Sequence, residues 1–423
     1  MRENIIQIKE GIKLHLIKTN KFKTNLISVF ITTPLSRDNV TKNALIPAIL
    51  RRGTANMKSQ DEISKKLEEM YGAEFDCGIE KTGDNQVIKF YIEAVNDDFL
   101  PKKEDLLKTS LEVLLEIILN PLIEKGAFNE GYFDTEKEHL RQLIQGKIDN
   151  KDLYAFEKCT ENMYKDKLYG LYKYGYEEDL EKITSKEMYE HYKNIINTAK
   201  IDIFISGNYD KNEIETIINN NKDIKKLSDR TPNNIINGEY ATENSALPQK
   251  IEEKMDVTQG KLVIGTSIVN LKKDERFIAS VYNTILGDSA NSKLFQNVRE
   301  KAHLAYTARS NYIRQKNDIY IRCGIEIQNY DKALDIIYKQ LEDLKNGKFS
   351  DEDVKNAKQY IISAINSVEE EQDTEISYYL GQELARTKCT LEEYKKEIEK
   401  VTKEQIQDIA QRIQVNTIYF LRN

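Results

Sequence analysis

A chain of 423 residues with 39% hydrophobic and 31% charged positions can bury more than one core, and at ~100–200 residues per domain two to four domains are expected. Its 63 basic and 70 acidic residues give a net charge of −7 with no basic block and no acidic tail, which argues against a nucleic-acid tract and slightly favours basic or unstructured peptides over anionic membranes. No run of 18 apolar residues and no signal-peptide pattern is present, so a cytoplasmic protein without a transmembrane helix is expected.

In chain order, residues 12–18 and 26–33 are apolar, β-branched runs and read as strands. A short helix is expected over 42–51. A capping box at Ser59-Gln60-Asp61-Glu62 opens a second, with Ile63, Leu67 and Met70 on one face and a stop at Gly72. Strands over 73–80 and 86–94 flank the turn 82–85, and amphipathic helices follow over 104–119 and 129–147. A helix over 185–196 and a strand over 201–206 close this half. The polar stretch 225–249, with Pro232 and Pro248, reads as a linker. Beyond it come a strand over 262–269, helices over 274–286 and 291–301, and a strand pair over 306–312 and 318–327. Long helices then run to residue 413, and a last strand covers 417–421. Cys77, Cys159, Cys323 and Cys389 are widely spaced and read as free, mostly buried thiols of a reducing compartment.

The second half repeats the first. Gly126-Ala127-Phe128-Asn129-Glu130 opens a long helix as Gly347-Lys348-Phe349-Ser350-Asp351 does. Leu180-Glu181-Lys182-Ile183-Thr184 matches Ile398-Glu399-Lys400-Val401-Thr402, and both threonines start capping boxes, with Glu187 and Gln405 at the third position. A strand ends each half. The fold class is therefore α+β with internal duplication, divided as 1–224, a linker at 225–249, and 250–423.

This organisation, together with one segment, resembles the insulinase/pitrilysin-like metallopeptidases, which include the mitochondrial processing peptidases and bacterial zinc-peptidase pairs. The segment runs from Ser292 to Tyr306 and fits the family's Leu-Phe-x-x-Val-Arg-Glu-Lys-x-x-Leu-Ala-Tyr pattern at every fixed position. The resemblance covers nearly the whole chain. It implies two homologous half-domains, each a mostly antiparallel sheet with helices packed on it, clasping part of a peptide chamber.

The active centre of such enzymes is His-x-x-Glu-His, whose histidines at i and i+4 share a helical face and reach one Zn²⁺. The intervening glutamate takes a proton from zinc-bound water. Aligned on Gly53-Thr54, which follows the motif in the family, the histidine positions hold Ala44 and Ala48 and the glutamate position holds Pro47. Pro47 is expected near the first turn of a short helix. The third ligand, seven residues beyond the Glu136 of Phe133-Asp134-Thr135-Glu136-Lys137, falls on Leu143. None of these four side chains binds metal, so no zinc is expected on this chain.

The remaining histidines, His15, His139, His191 and His303, have no zinc-site spacing, and Glu136, Glu138 and His139 read as a salt-bridging surface face. The resemblance implies that Arg299 grips substrate carbonyls and Tyr306 stabilises an oxyanion, both projecting into one cleft. One departure is the loop Leu286-Gly287-Asp288-Ser289-Ala290-Asn291, with a single glycine where active relatives have several.

The chain thus has the gripping half without the cutting half. The resemblance implies a substrate-binding or regulatory subunit whose homologous, zinc-bearing partner supplies His-x-x-Glu-His. It is similar to the short zinc-less member of bacterial pairs. Peptides are the expected substrates, short or unfolded, with no nucleic-acid or membrane partner. A scaffold with no peptidase role is the alternative, and a self-sufficient peptidase with an unrecognised metal site is a third.

Overall fold

In the computed structural model, residues 3–232 and 248–423 are described. The chain forms two compact units: Met1–Gly146 with Leu171–Ile236 and Glu369–Arg386, and Lys147–Gly170 with Asn237–Val368 and Thr387–Asn423. Each unit takes one segment from the other part of the sequence, residues 369–386 in the first and 147–170 in the second. Residues 233–247, most of the expected linker, lie outside the described residues. Residues 225 and 226 still belong to a helix, and a strand starts at Gln249.

The first unit is built on β1 (Glu3–Lys9), β2 (Ile12–Lys18), β3 (Thr24–Pro34), β4 (Glu74–Thr82) and β5 (Asn85–Val95). A small ribbon, β6 (Ile123–Glu124) and β7 (Ala127–Phe128), precedes its last strand, β8 (Lys200–Gly207). The sheet order is β1-β2-β8-β3-β5-β4, with β2 and β8 parallel and the other pairs antiparallel. β1 was not expected. As an edge strand with no fully buried side chain among those described, it lacks a strong apolar alternation.

The helices of this unit are α1 (Val40–Leu50), α2 (Gln60–Glu69), α3 (Leu106–Leu119) and α4 (Glu130–Gln145). After α5 (Lys151–Met163), which belongs to the other unit, come α6 (Glu177–Leu180), α7 (Ser185–Thr198), α8 (Lys211–Asn220) and α9 (Lys222–Lys226). Their apolar faces and one sheet face share a core that includes Leu45, Leu50, Ile88, Phe90, Leu114 and Ile203.

The second unit holds β9 (Gln249–Lys254), β10 (Gly260–Ile268), β11 (Ala305–Ile313), β12 (Asp318–Ile325) and β13 (Ile413–Arg422). Its helices are α10 (Arg276–Asn283), α11 (Tyr330–Lys345), α12 (Asp351–Val368), α14 (Leu391–Lys400) and α15 (Lys403–Gln411), while α13 (Gln372–Leu384) belongs to the first unit. The sheet order is β11-β12-β10-β13-β9, with only β13 and β9 parallel. Read from the opposite edge, the first sheet runs β4-β5-β3-β8-β2, the same plan with β1 added outside.

The repeat holds at the level of single residues. Gly126 and Gly347 both adopt left-handed backbone, with φ of 80° and 70°, and Phe128 and Phe349 are both buried. Both threonine capping boxes form, Thr184 with Glu187 and Thr402 with Gln405.

The exchanged helices α5 and α13 hold equivalent places in the repeat. On the first unit, Ile376, Tyr379, Leu380 and Leu384 of α13 cover Ile17, Leu26, Phe30, Val87 and Phe204. On the second, Ala155 and Cys159 of α5 cover Val263, Tyr320, Tyr419 and Leu421. Each fully buried apolar side chain of this size contributes about 1.5–3 kcal/mol, which holds each helix on the sheet face opposite the main helical layer. No disulfide joins the cysteines, and Cys159 and Cys323 are buried. Among the described residues no helix is long and apolar enough to cross a membrane.

Candidate functional site

The segment carrying Arg299 and Tyr306 is shaped by three buried anchors, Leu294, Val298 and Leu304. Between them the chain forms a wide, π-type helix, Phe295–Lys301, where an ordinary helix was expected over 291–301. A second wide turn, Thr284–Asp288, ends α10. Such turns are uncommon and cluster at functional sites. The helix closes through Leu304 N donating to Val298 O at 3.1 Å, and His303, at φ 52°, reverses the chain into β11.

β11 is the last strand of its sheet. Its register shifts between Ala305 and Thr307, so Tyr306 sits at a bulge and is 75% exposed. A bulge at a strand end re-aims one side chain out of the ladder. Arg299, one turn upstream of the reversal, lies over the ring of Phe295 at 4.6 Å, with Glu300 at 3.5 Å from its Nε. Both residues therefore lie at the surface of the second unit, on consecutive elements.

The single glycine of the preceding loop has a packing reason. A Cβ on Gly287 would lie 2.6 Å from both the backbone N and Oγ of Ser310 on β11. Ser310 is itself buried and donates to Asn283 Oδ1 at 2.7 Å. Only glycine lets the wide turn approach the strand so closely.

In the first unit, Ala44, Pro47 and Ala48 lie on α1 and Leu143 near the end of α4. Ala44 and Pro47 are buried, Ala48 is partly buried, and Leu143 is 42% exposed. Methyl, pyrrolidine and isobutyl groups carry no lone pair for a metal and no proton to exchange, so these positions do not fit zinc. Pro47 is the eighth of the 11 residues of α1, later than expected. Its helix is buried on nearly every side, and that packing offsets a loss of ~3 kcal/mol for an interior proline. The Cys77 thiol donates to Pro47 O at 3.3 Å, and burial pushes that thiol up to about 12.

Gly53-Thr54 is explained without metal chemistry. A Cβ on Gly53 would meet Lys58 O at 2.9 Å, and Thr54 Oγ1 accepts from Met57 N at 2.8 Å while donating to Glu116 Oε1 at 2.6 Å. Glu136 is not the surface residue expected: it is 5% exposed and ion-paired with Arg52, because α4 turns it towards α1. His139, 3.4 Å from Glu136, and Glu138, paired with Arg141, do lie on a salt-bridged face.

The other histidines are likewise structural. His15 is fully buried, 3.0 Å from Asp202 and stacked on Phe204 at 4.1 Å. His191 sits 2.7 Å from Asn43, whose amide donates to Gln86 Oε1 at 2.9 Å. Among the described residues no cluster of three His, Cys, Asp or Glu could hold a metal ion. Not foreseen from the sequence was a partly buried charge chain: Lys13 and Lys200 each bond to Glu383 of α13, at 2.6 and 2.7 Å, and Lys200 also pairs with Asp202 at 2.8 Å. A lysine inside an apolar strand was the only available signal.

The model of a family described as the peptidase M16 inactive domain matches residues 182–361. The chain is 35% identical over 417 residues to the probable inactive metalloprotease YmfF of Bacillus subtilis (strain 168), covering 97% of this chain and 96% of that one. The crystal structure of a conserved protein from Enterococcus faecalis V583 superposes with a TM-score of 0.89 at 26% identity, covering 100% of this chain and 99% of that one. That of a peptidase M16 inactive domain from Pseudomonas fluorescens does so with a TM-score of 0.80 at 17% identity, covering 100% and 98%. The chain belongs to the insulinase-like M16 peptidase family as an inactive member.

Proposed function

We propose that this chain is the non-catalytic, substrate-binding or regulatory subunit of a heteromeric zinc peptidase acting on short or unfolded peptides. A homologous partner supplies the zinc site, and Arg299 and Tyr306 complete it. The observation that carries this reading is Tyr306: a phenol 75% exposed, at a bulge, on the edge strand of its sheet, shortly after the helix of Arg299. The phenol can donate to a developing oxyanion, the guanidinium can bind carbonyl oxygens, and an edge strand offers backbone groups to an extended peptide.

The test is co-purification with a homologous chain that carries His-x-x-Glu-His, followed by hydrolysis of an unstructured peptide by the pair. Arg299→Ala and Tyr306→Phe are each expected to lower the joint kcat/KM by about tenfold or more while leaving the complex assembled. Unchanged hydrolysis in both variants sinks the shared-site reading and leaves a scaffold role.

A further inference from the structure

We infer that β11 and the turn leading into it form a docking site for an extended acidic peptide segment, with Arg309 as the group that reads its carboxylates. This inference rests on the peptide-binding role proposed above and names the class of peptide. Between Arg299 and Arg322 the chain carries six basic residues against two acidic ones, Glu300 and Asp318, in a protein of net charge −7; Lys316 is buried and Arg322 largely so, which leaves Arg299, Lys301, Arg309 and the part-buried Arg314 to set the surface charge. Asp318 is completely buried and adds nothing to the surface. The composition of the whole chain favours basic peptides; the site itself has the opposite sign.

The strand ladder sharpens the point. Arg309 of β11 stands directly opposite Arg322 of β12, and like charges in that relation repel. Both guanidinium groups converge on one carboxylate oxygen, Oδ2 of Asp152, at 3.0 Å for Arg309 and in closer contact for Arg322. Arg322 is the buried member: it lies over the ring of Phe156 at 5.1 Å, its side chain is 13% exposed, and its Nε makes no hydrogen bond within the described residues. Glu157 acts on Arg322 only from farther away. Among the described residues Arg309 pairs with no carboxylate besides Asp152, which it shares with this better-placed neighbour, and it is 52% exposed.

A strand added outside β11 would place a side chain ~4.5–5.5 Å across from Arg309, within reach of a carboxylate. It would also run past the exposed Tyr306 and Thr307. The protein's overall negative charge acts over longer distances and is screened beyond ~8 Å at physiological salt, so the local surplus governs the contact.

The experiment is fluorescence anisotropy on the full chain with two labelled nonapeptides, one of alternating Thr and Glu and one of alternating Thr and Lys. The Glu peptide is expected to bind at least about tenfold more tightly at physiological salt, and the preference should weaken as salt rises. Arg309→Glu should abolish or reverse the preference without changing the melting temperature, and Arg309→Gln should reduce it. Equal binding of both peptides, or an unaltered preference in both variants, overturns the charge assignment and leaves the peptide-binding role standing. Binding of neither peptide overturns both. Displacement of the Glu peptide by a tighter-binding single-stranded oligonucleotide also overturns the inference.

Discussion

The imidazole Nε2 of His191, on α7, lies 2.7 Å from Oδ1 of Asn43, on α1. Asn43 Nδ2 donates to Gln86 Oε1 at 2.9 Å and to Thr33 Oγ1 at 3.3 Å, which leaves Oδ1 as an acceptor and fixes the proton on His191 Nε2. This buried polar network begins one residue before Ala44, so a neutral histidine on α7 helps to fix the position of α1.

Burial, with Lys42 as a smaller cause, holds His191 down at about 4. In the unfolded chain the group titrates near ~6.5. Between these values the unfolded state binds more protons, so the contribution of His191 is complete above about 6.5 and is lost as pH falls towards 4, by up to about 3 kcal/mol. Asp318 works in the opposite direction: burial pushes it up to about 7, so its stabilising contribution exists below about 4 and is lost as pH rises through 7. The measurement is therefore a comparison of urea midpoints for the wild type and His191→Gln between pH 4 and 7. The variant should lose less stability on acidification, and parallel profiles would show that His191 is not buried neutral.

Glu383 joins α13 to Lys13 and Lys200, and these lysines hold its carboxyl at about 2 despite its burial. Its contribution is present above the ordinary glutamate value of ~4.3 and is lost as pH falls through 2. Glu383→Gln leaves Lys13 without this partner and Lys200 with Asp202 alone. A loss of about 2 kcal/mol is expected, below the figure for a fully buried pair because Lys13 is 29% exposed. Chemical denaturation at pH 7 checks this; a change under ~0.5 kcal/mol would mean that α13 is held by its apolar face alone.

Gly287→Ala should destabilise the second unit by about 1–3 kcal/mol, since the new methyl collides with the backbone of Ser310. The same displacement should reach Tyr306 through β11. Peptide binding is then expected to fall together with stability, whereas an exposed control such as Lys301→Ala should leave stability unchanged.

Zinc analysis of the desalted protein by plasma mass spectrometry should return a content near zero, as Ala44, Pro47, Ala48 and Leu143 require. A stoichiometric content that a chelator removes would refute the placement of these positions and favour a self-sufficient peptidase.

Much of this protein is determined locally. Paired glycines and capping boxes, a helix stop at Gly72 and alternating strands each depend on a few neighbouring residues, so the duplication could be read without a structure. Tertiary structure alone decided three things. The amphipathic pattern of α5 and α13 says that each has an apolar face but not which sheet it covers, and the exchange between units follows from that freedom. The bulge at Tyr306 depends on ladder register with β12, a relation between residues that are remote along the chain. The pairing of Arg309 and Arg322 over Asp152 required three separate segments to meet. Composition placed an acidic surface on this chain, and only the folded sheet decided which basic residues of the stretch from Arg299 to Arg322 stand exposed at its edge, because charge is summed along a sequence but acts across space.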